Sequence, residues 1–354
     1  MIIKKSAINS TVLIAGIIFV ATAAVWYGFI HADTARAWRS LLTNYLFFTS
    51  VAAGMVVWPA IVIISNGKWM GSLEKLCWTG LSFGIPSLVA LVILWSGSSE
   101  WAPWLKSAKP WLNNNFLFTR NLVLQVIFWL LAVFFMTRRS RQNNKTMAGI
   151  LILVYAITFS VAGFDFVMAL EPSWHSMMMG GYFFISALYI ASAAWALLSS
   201  LFMEPGEKSA LHDIGKLVLT FCMLTSYLMF SQLLPIWYEN LPDETIFLIP
   251  RMNYSWKYIS ITLLALVYLG PILMLLNRRV KESPLYMASV SAIILAGMWI
   301  ECWWLVSAVF EKTTILFGWV EVVPTIAFLA LLTAGISLML KILPEFHLLK
   351  HPEA

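Results

Sequence analysis

Charge is scarce in this chain: Asp, Glu, Lys and Arg make up 11% of its 354 residues. A soluble domain carries about 25%, so the shortage excludes a surface solvated by water on all sides. It also argues against a nucleic-acid face, because the formal net charge of +6 is spread over short polar stretches between apolar runs. Cysteine is nearly absent. Cys77, Cys222 and Cys302 fall in separate apolar segments without CxxC spacing, which excludes a disulfide framework and an iron–sulfur cluster. Five histidines are too few and badly placed for a b-type haem, which needs two at matching depth on facing helices. Only His175 and His212 lie near helix ends, on opposite sides, while His31, His347 and His351 sit at boundaries or in the tail. With no metal cluster in view, any redox partner is expected to diffuse or to sit in another subunit. Period-2 alternation is also missing, so a β-barrel is not indicated.

What is present is apolar length. Hydrophobic residues make up 60% of the chain, and runs of 18 or more mark spanning helices, since ~20 residues at ~1.5 Å rise cover a ~30 Å hydrocarbon core. Ten such runs are legible, at 11–31, 42–65, 75–96, 116–137, 146–170, 178–203, 211–236, 255–276, 284–308 and 318–343. The expectation is an all-α integral membrane protein, a single polytopic domain over 1–354. Lys4 and Lys5 before the first run, and Ala21-Thr22-Ala23 within it, look like a secretory leader. The run continues through Trp26 and Tyr27, long enough to be read as a retained helix.

Ten spans put both termini on one side. On that side fall Lys4, Lys5, Lys68, Lys75, Arg138, Arg139, Arg141, Lys145, Lys208, Lys216, Arg278, Arg279, Lys281, Lys341 and Lys350. That is 15 of the 23 Lys and Arg, and the positive-inside rule then makes the terminal side cytoplasmic and the other face periplasmic in a bacterial inner membrane. Two basic loops resemble each other: Thr137-Arg138-Arg139-Ser140-Arg141 and Asn277-Arg278-Arg279-Val280-Lys281. Each leads into a helix with one acid near its far end, Asp165 or Glu301, and each follows a helix with one cation near its outer start, Arg120 or Lys257. This suggests a parallel repeat of four helices: a first bundle over 42–170, a second over 178–308, and peripheral helices at 11–31 and 318–343.

Ionisable side chains in lipid cost about 2.5–3.5 kcal/mol each on insertion scales and usually mark function. Here they gather toward the outer face: Arg120, Asp165, Glu301 and Glu321, with Glu171 and His175 on a connecting loop. Arg120 and Asp165 both lie roughly 6–8 Å below the boundary at ~1.5 Å per residue, so antiparallel neighbours would bring them together; Lys257 and Glu301 match more loosely. Such pairs serve either to neutralise charge and pin helices or to handle protons, since burial and a nearby cation pull a carboxyl pKa in opposite directions. His175, after Glu171-Pro172-Ser173-Trp174, is either an interfacial histidine or a hydrogen-bond partner for a quinol. Gln232 and Tyr227 are polar groups that more often join helices than bind ligands.

The stretches FDFVMALEPSWHSMMMGGYFF (164–184), FSQLLPIWYENLPDET (230–245) and WLNNNFLFTRN (111–121) resemble the membrane subunits of the polysulfide-reductase-like (NrfD-like) family. The likeness is greatest to the second quinone-binding-type subunit of bacterial alternative complex III, a quinol:cytochrome c oxidoreductase. It covers helices four to eight; Ser173 departs from it, where the family often has histidine. The resemblance implies two four-helix bundles, no haem or iron–sulfur cluster in this subunit, and menaquinone or ubiquinone as substrate. It implies as partners a sister NrfD-like membrane subunit, an iron–sulfur subunit and c-type cytochrome subunits, with a terminal oxidase as a further candidate. Asp165 and Glu171 fall on the motif. On this reading Asp165, Glu171, Arg120 and Glu301 form a proton pathway, and His175, Trp174 and Gln232 lie near the quinone. The chain alone would catalyse nothing. Two other readings remain open, a secondary transporter and a structural membrane anchor for peripheral redox subunits. Against the transporter, the charges lie near one face, whereas transporters place sites at the midplane, and Pro86, Pro235 and Pro271 do not correspond.

Overall fold

A computed structural model describes residues 5–106, 110–139, 145–203, 206–253 and 255–343. Ten helices among them are long and apolar enough to cross a membrane: α1 (Asn9–Ala32), α2 (Thr34–Ile64), α3 (Gly71–Ser96), α4 (Asn114–Thr137), α5 (Lys145–Leu170), α6 (Met178–Phe202), α7 (Lys208–Glu239), α8 (Trp256–Leu276), α9 (Pro284–Phe310) and α10 (Trp319–Ile342). The described residues contain no strand. Lipid explains both facts, because hydrocarbon offers no partner for a free backbone N–H or C=O and a helix satisfies them within one segment. The chain is thus an all-α, multi-pass membrane protein.

One boundary differs from the sequence reading by more than four residues. The second helix begins at Thr34, eight residues before the expected 42, and only Asp33 separates it from α1. Arg36 and Arg39, expected in a loop, lie instead on its first turns. They are held there by carboxylates: Arg36 binds Glu321 of α10 through Nε and Nη2, both at 2.6 Å, and Arg39 Nη1 lies 3.9 Å from Glu311. Hydropathy alone could not see this extension, since it is polar on the face that makes those bonds. Of the first basic loop, residues 140–144 lie outside the described residues.

α2 is the most enclosed helix and α1 the least. α1 packs chiefly along α10, and α10 in turn leans on α2 and α3. Within 42–170, α2 packs on α3 and α5, α3 on α4, and α4 on α5; within 178–308, α6 packs on α7 and α9, α7 on α8, and α8 on α9. The two sets meet where α2 crosses α6 and α9, and α5 crosses α6. At the α2–α6 crossing, Trp58 faces Trp195 at 6.1 Å between rings, and a Cβ built on Gly54 would fall 2.5 Å from that of Ala191. Both pairs share an offset of 137 residues, as do Tyr45 and Tyr182. At this contact Trp58 meets Trp195 and Gly54 meets Ala191, and Gly54 allows the close approach that small residues give in membranes.

Candidate functional site

Arg120 on α4 and Asp165 on α5 form a two-pronged ion pair near the end of the bundle opposite the start of α1 and the end of α10. Arg120 Nε donates to Asp165 Oδ2 at 2.7 Å, and Nη2 donates to Oδ1. Asn121 Nδ2 donates to Oδ2 at 2.6 Å. The guanidinium is pinned from behind: Nη1 donates to Trp111 O at 2.9 Å, and the cation lies 3.8 Å from the Trp111 ring and 4.9 Å from that of Phe116. Asp165 is fully buried and, five residues before Leu170, lies ~7.5 Å inside the span at ~1.5 Å per residue. The antiparallel geometry of α4 and α5 makes the pairing that the depth comparison expected. One turn deeper, Gln125 Nε2 donates to Tyr45 Oη, leaving its Oε1 buried without a partner. The next turn carries Trp129, whose Nε1 donates to Ser87 Oγ at 3.0 Å. Asn121, Gln125 and Trp129, spaced by four, give α4 one polar face behind the ion pair.

Glu301 on α9 does not pair with Lys257, which is exposed at the start of α8. Its partners are phenols: Tyr182 Oη donates to Oε1, and Tyr268 Oη donates to Oε2 at 2.8 Å, with 3.1 Å between the two hydroxyl oxygens. No cation among the described residues lies within ion-pair distance of this carboxylate, which is 1% exposed. Nine residues before Phe310, it lies ~13 Å inside the span at ~1.5 Å per residue, deeper than Asp165. The depth match with Lys257 failed because tyrosine hydroxyls can fill a carboxylate's acceptor positions without carrying charge, and charge counting ignores hydroxyls.

Local sequence explains how Tyr268 reaches inward. Leu264–Leu269 forms a π-helical turn inside α8. Pro271 follows and has no N–H to return to Val267 O four residues earlier. That carbonyl instead accepts Tyr189 Oη at 2.8 Å and Cys222 Sγ at 3.5 Å, and Tyr268 O also faces Cys222 Sγ at 3.5 Å. Single π turns inside α-helices occur often at functional sites. Here the turn aims Tyr268 at Glu301 while Tyr189 and Cys222 satisfy its freed carbonyls.

The outer loops hold the remaining candidates. Glu171 accepts from Ser173 Oγ at 2.7 Å and lies 3.7 Å from Lys312 Nζ. His175 is exposed, and Trp174 is buried with its ring stacked 4.0 Å from Phe247. Gln232 is buried with Oε1 unpartnered, whereas Tyr227 faces outward from the bundle and joins no helices there. The residue that sequence reasoning missed is Arg251, which falls between the expected seventh and eighth spans. It is 1% exposed, donates to Phe247 O at 2.6 Å and Leu305 O at 2.8 Å, and stacks on Phe247 at 3.7 Å. Burial pushes its guanidinium down to about 9, still charged at neutral pH. The signal was present as Phe247-Leu-Ile-Pro-Arg251, a cation four residues from a ring in an apolar stretch.

The two carboxylates differ in what a proton does to them. At Asp165 the pair is neutral as it stands, and a proton would leave Arg120 an unbalanced cation in an apolar surrounding. At Glu301 a proton removes the only formal charge of the cluster, and each phenol can rotate from donor to acceptor to receive the new O–H. A proton at Asp165 thus changes the charge balance of Arg120, whereas a proton at Glu301 neutralises its own cluster. Comparison of the chain with known protein families and with characterised proteins finds no match.

Proposed function

We propose that the chain is a haem-free membrane subunit of a quinol-oxidising respiratory complex of the alternative complex III type, and that Asp165 and Glu301 handle protons in it. The observation that carries this reading is the pair of fully enclosed carboxylates, one on the last helix of each four-helix set, held by different chemistry. A structural anchor needs buried charge neutralised, and Arg120 with Asp165 meets that need. It has no need of Glu301, a carboxylate without a cation ~13 Å inside a span.

The resemblance of residues 164–184 and 230–245 to NrfD-like subunits supplies the electron-transfer setting. Quinol oxidation releases two electrons and two protons, and on this reading the electrons pass to metal centres in partner subunits. Glu171, on the loop beyond α5 and partly exposed, is placed to pass protons on to water. Gln232 Oε1, a buried acceptor lacking a protein donor, suits a quinol hydroxyl. His175 lies at the same end of the bundle. Trp174 has one ring face covered by Phe247, which suits a wall of that region better than a stacking platform.

Purification from native membranes in mild detergent tests the assignment. Iron–sulfur and c-type cytochrome subunits should come down with the chain, and the assembly should reduce cytochrome c with a quinol. Recovery as a lone chain that accumulates a solute in vesicles would replace this reading with transport.

A further inference from the structure

The most deeply buried arginine of the chain carries a charge that the proton-handling groups do not use. Arg36, Arg39 and Arg120 each lie within ion-pair distance of a carboxylate. Arg251, in the short helix Ile249–Met252 between α7 and α8, has no such carboxylate among the described residues, although it is more enclosed than those three. Its Nε is also buried without an acceptor among them. Burial lowers its pKa to about 9, so the guanidinium keeps its charge at neutral pH. An uncompensated buried charge is costly. The bonds that tie Arg251 to Phe247 O and Leu305 O do not require that charge, because a neutral side-chain amide also carries two N–H donors. Fastening the loop therefore does not account for a cation here.

Its position does. Leu305 lies one turn beyond Glu301 on α9, so the carbonyl that receives the guanidinium stands ~6 Å nearer the end of the span than Glu301, at ~1.5 Å per residue. Two titratable groups act on Arg251 electrostatically: Glu171 on the loop beyond α5, and Tyr182, which donates to Glu301. The cation thus stands between the phenol–carboxylate cluster and the outer loop. Rings enclose it there. Phe247 stacks on it at 3.7 Å, Trp174 stacks on Phe247 at 4.0 Å, and Trp304 lies 4.9 Å from the guanidinium. All three rings are buried. Ser260 Oγ donates to Arg251 O at 2.6 Å and accepts from Trp304 Nε1 at 2.9 Å, which ties the short helix to α8 and α9 together.

A fixed cation in a narrow layer repels protons, as arginine and the positive ends of half-helices do in water pores. We infer that Arg251 is an electrostatic barrier that stops protons returning from the outer loops to Glu301. The inference rests on the reading of Glu301 as a proton-handling group and gives its traffic a direction. Arg251 acts through charge alone: it touches neither carboxylate, and the rings around it leave the cation as the polar group in that layer nearest the cluster.

Passive proton leak tests it, in the protein purified with its co-purifying subunits and sealed in vesicles without quinol. A potassium diffusion potential of either sign drives protons across, and an enclosed pH dye reads them. The wild type should be tight. Arg251→Gln keeps two N–H donors and removes the charge, and should leak roughly tenfold faster, the effect of one charge ~10 Å away at an effective dielectric of ~20. Arg251→Lys should stay tight. Arg251→Gln/Glu301→Gln should be tight again, because protons that pass the layer find no carboxylate to receive them. Trp304→Glu sets a carboxylate beside the guanidinium and cancels its charge, and should leak, whereas Trp304→Gln, of the same size, should not. That second pair reads the barrier even where Arg251→Gln does not assemble. Trp304→Glu no leakier than Trp304→Gln, or assembled Arg251→Gln as tight as the wild type, would overturn the inference. So would a leak that persists in the double variant, since it marks a path around Glu301. Proton release per quinol in Glu301→Gln separates this inference from the reading beneath it. Unchanged release would remove Glu301 from proton handling, whereas reduced release with no leak in Arg251→Gln would remove the barrier alone.

Discussion

At the scale of single residues, Asp165 and Glu301 show two solutions to one problem, a carboxylate kept out of water. Asp165 has a cation and an amide; Glu301 has two phenols. Removing the cation alone should be costly. Arg120→Gln leaves Asp165 buried and uncompensated, a destabilisation of ~3–5 kcal/mol by analogy with broken buried pairs, whereas Arg120→Gln/Asp165→Asn should recover most of it. Thermal unfolding in detergent reads the difference, and equal loss in both variants would show that the pair contributes packing instead of charge balance. A second residue-scale test uses pH. Glu311, just beyond α9, is raised above its ordinary value of 4.5 chiefly by burial, against an N–H from Leu316 and the nearby Arg39. A raised carboxyl favours folding while protonated, so its contribution is complete below about pH 4.5 and fades as pH rises through the folded pKa. The wild type should therefore lose stability relative to Glu311→Gln across that rise, and a difference that is flat with pH would contradict the assignment.

The Arg120–Asp165 pairing was legible because depth below the boundary can be counted along two antiparallel helices. Glu301 was legible as a buried acid, but its partners were not. Tyr182 and Tyr268 lie on two other helices and carry no charge to count, and the π turn that aims Tyr268 has no periodicity signal. Arg251 was hidden for a different reason: its partners are the carbonyls of Phe247 and Leu305, which every residue possesses.

At the scale of elements, hydropathy located all ten spans, because lipid demands long apolar helices and few other solutions exist. It placed the start of α2 too late, since the turn carrying Arg36 and Arg39 is amphipathic and is held by α10 and the loop before it. The Arg36–Glu321 pair therefore ties the α1–α10 layer to the core. Glu321 also accepts from Gly318 N at 2.7 Å, which starts α10. Glu321→Gln should lower stability by ~3 kcal/mol, the low end for breaking a buried pair, and should loosen α1 before the core. Hydrogen exchange resolved by segment would show faster exchange in residues 9–32 than in 178–202. Uniform acceleration across both segments would mean that the clamp supports the whole bundle and not this layer.

At the scale of the whole molecule, the sequence indicates that both termini share the more basic side. Asn277 and Asp243 are exposed at opposite ends of the bundle, and the three native cysteines are buried. A cysteine at 277 should react with an impermeant thiol reagent only in permeabilised cells, and one at 243 in intact cells; the reverse would put the Asp165 end in the cytoplasm. The proposal that these carboxylates handle protons is tested most directly by proton release per quinol oxidised in the reconstituted assembly, comparing wild type, Asp165→Asn and Arg120→Gln/Asp165→Asn. The double variant separates charge balance from proton transfer, because it restores assembly without restoring an ionisable group. The account expects both variants, once assembled, to keep their partner subunits and to release clearly fewer protons per quinol, with no recovery in the double variant. Assembled Asp165→Asn that turns over quinol and releases protons as the wild type does would contradict it.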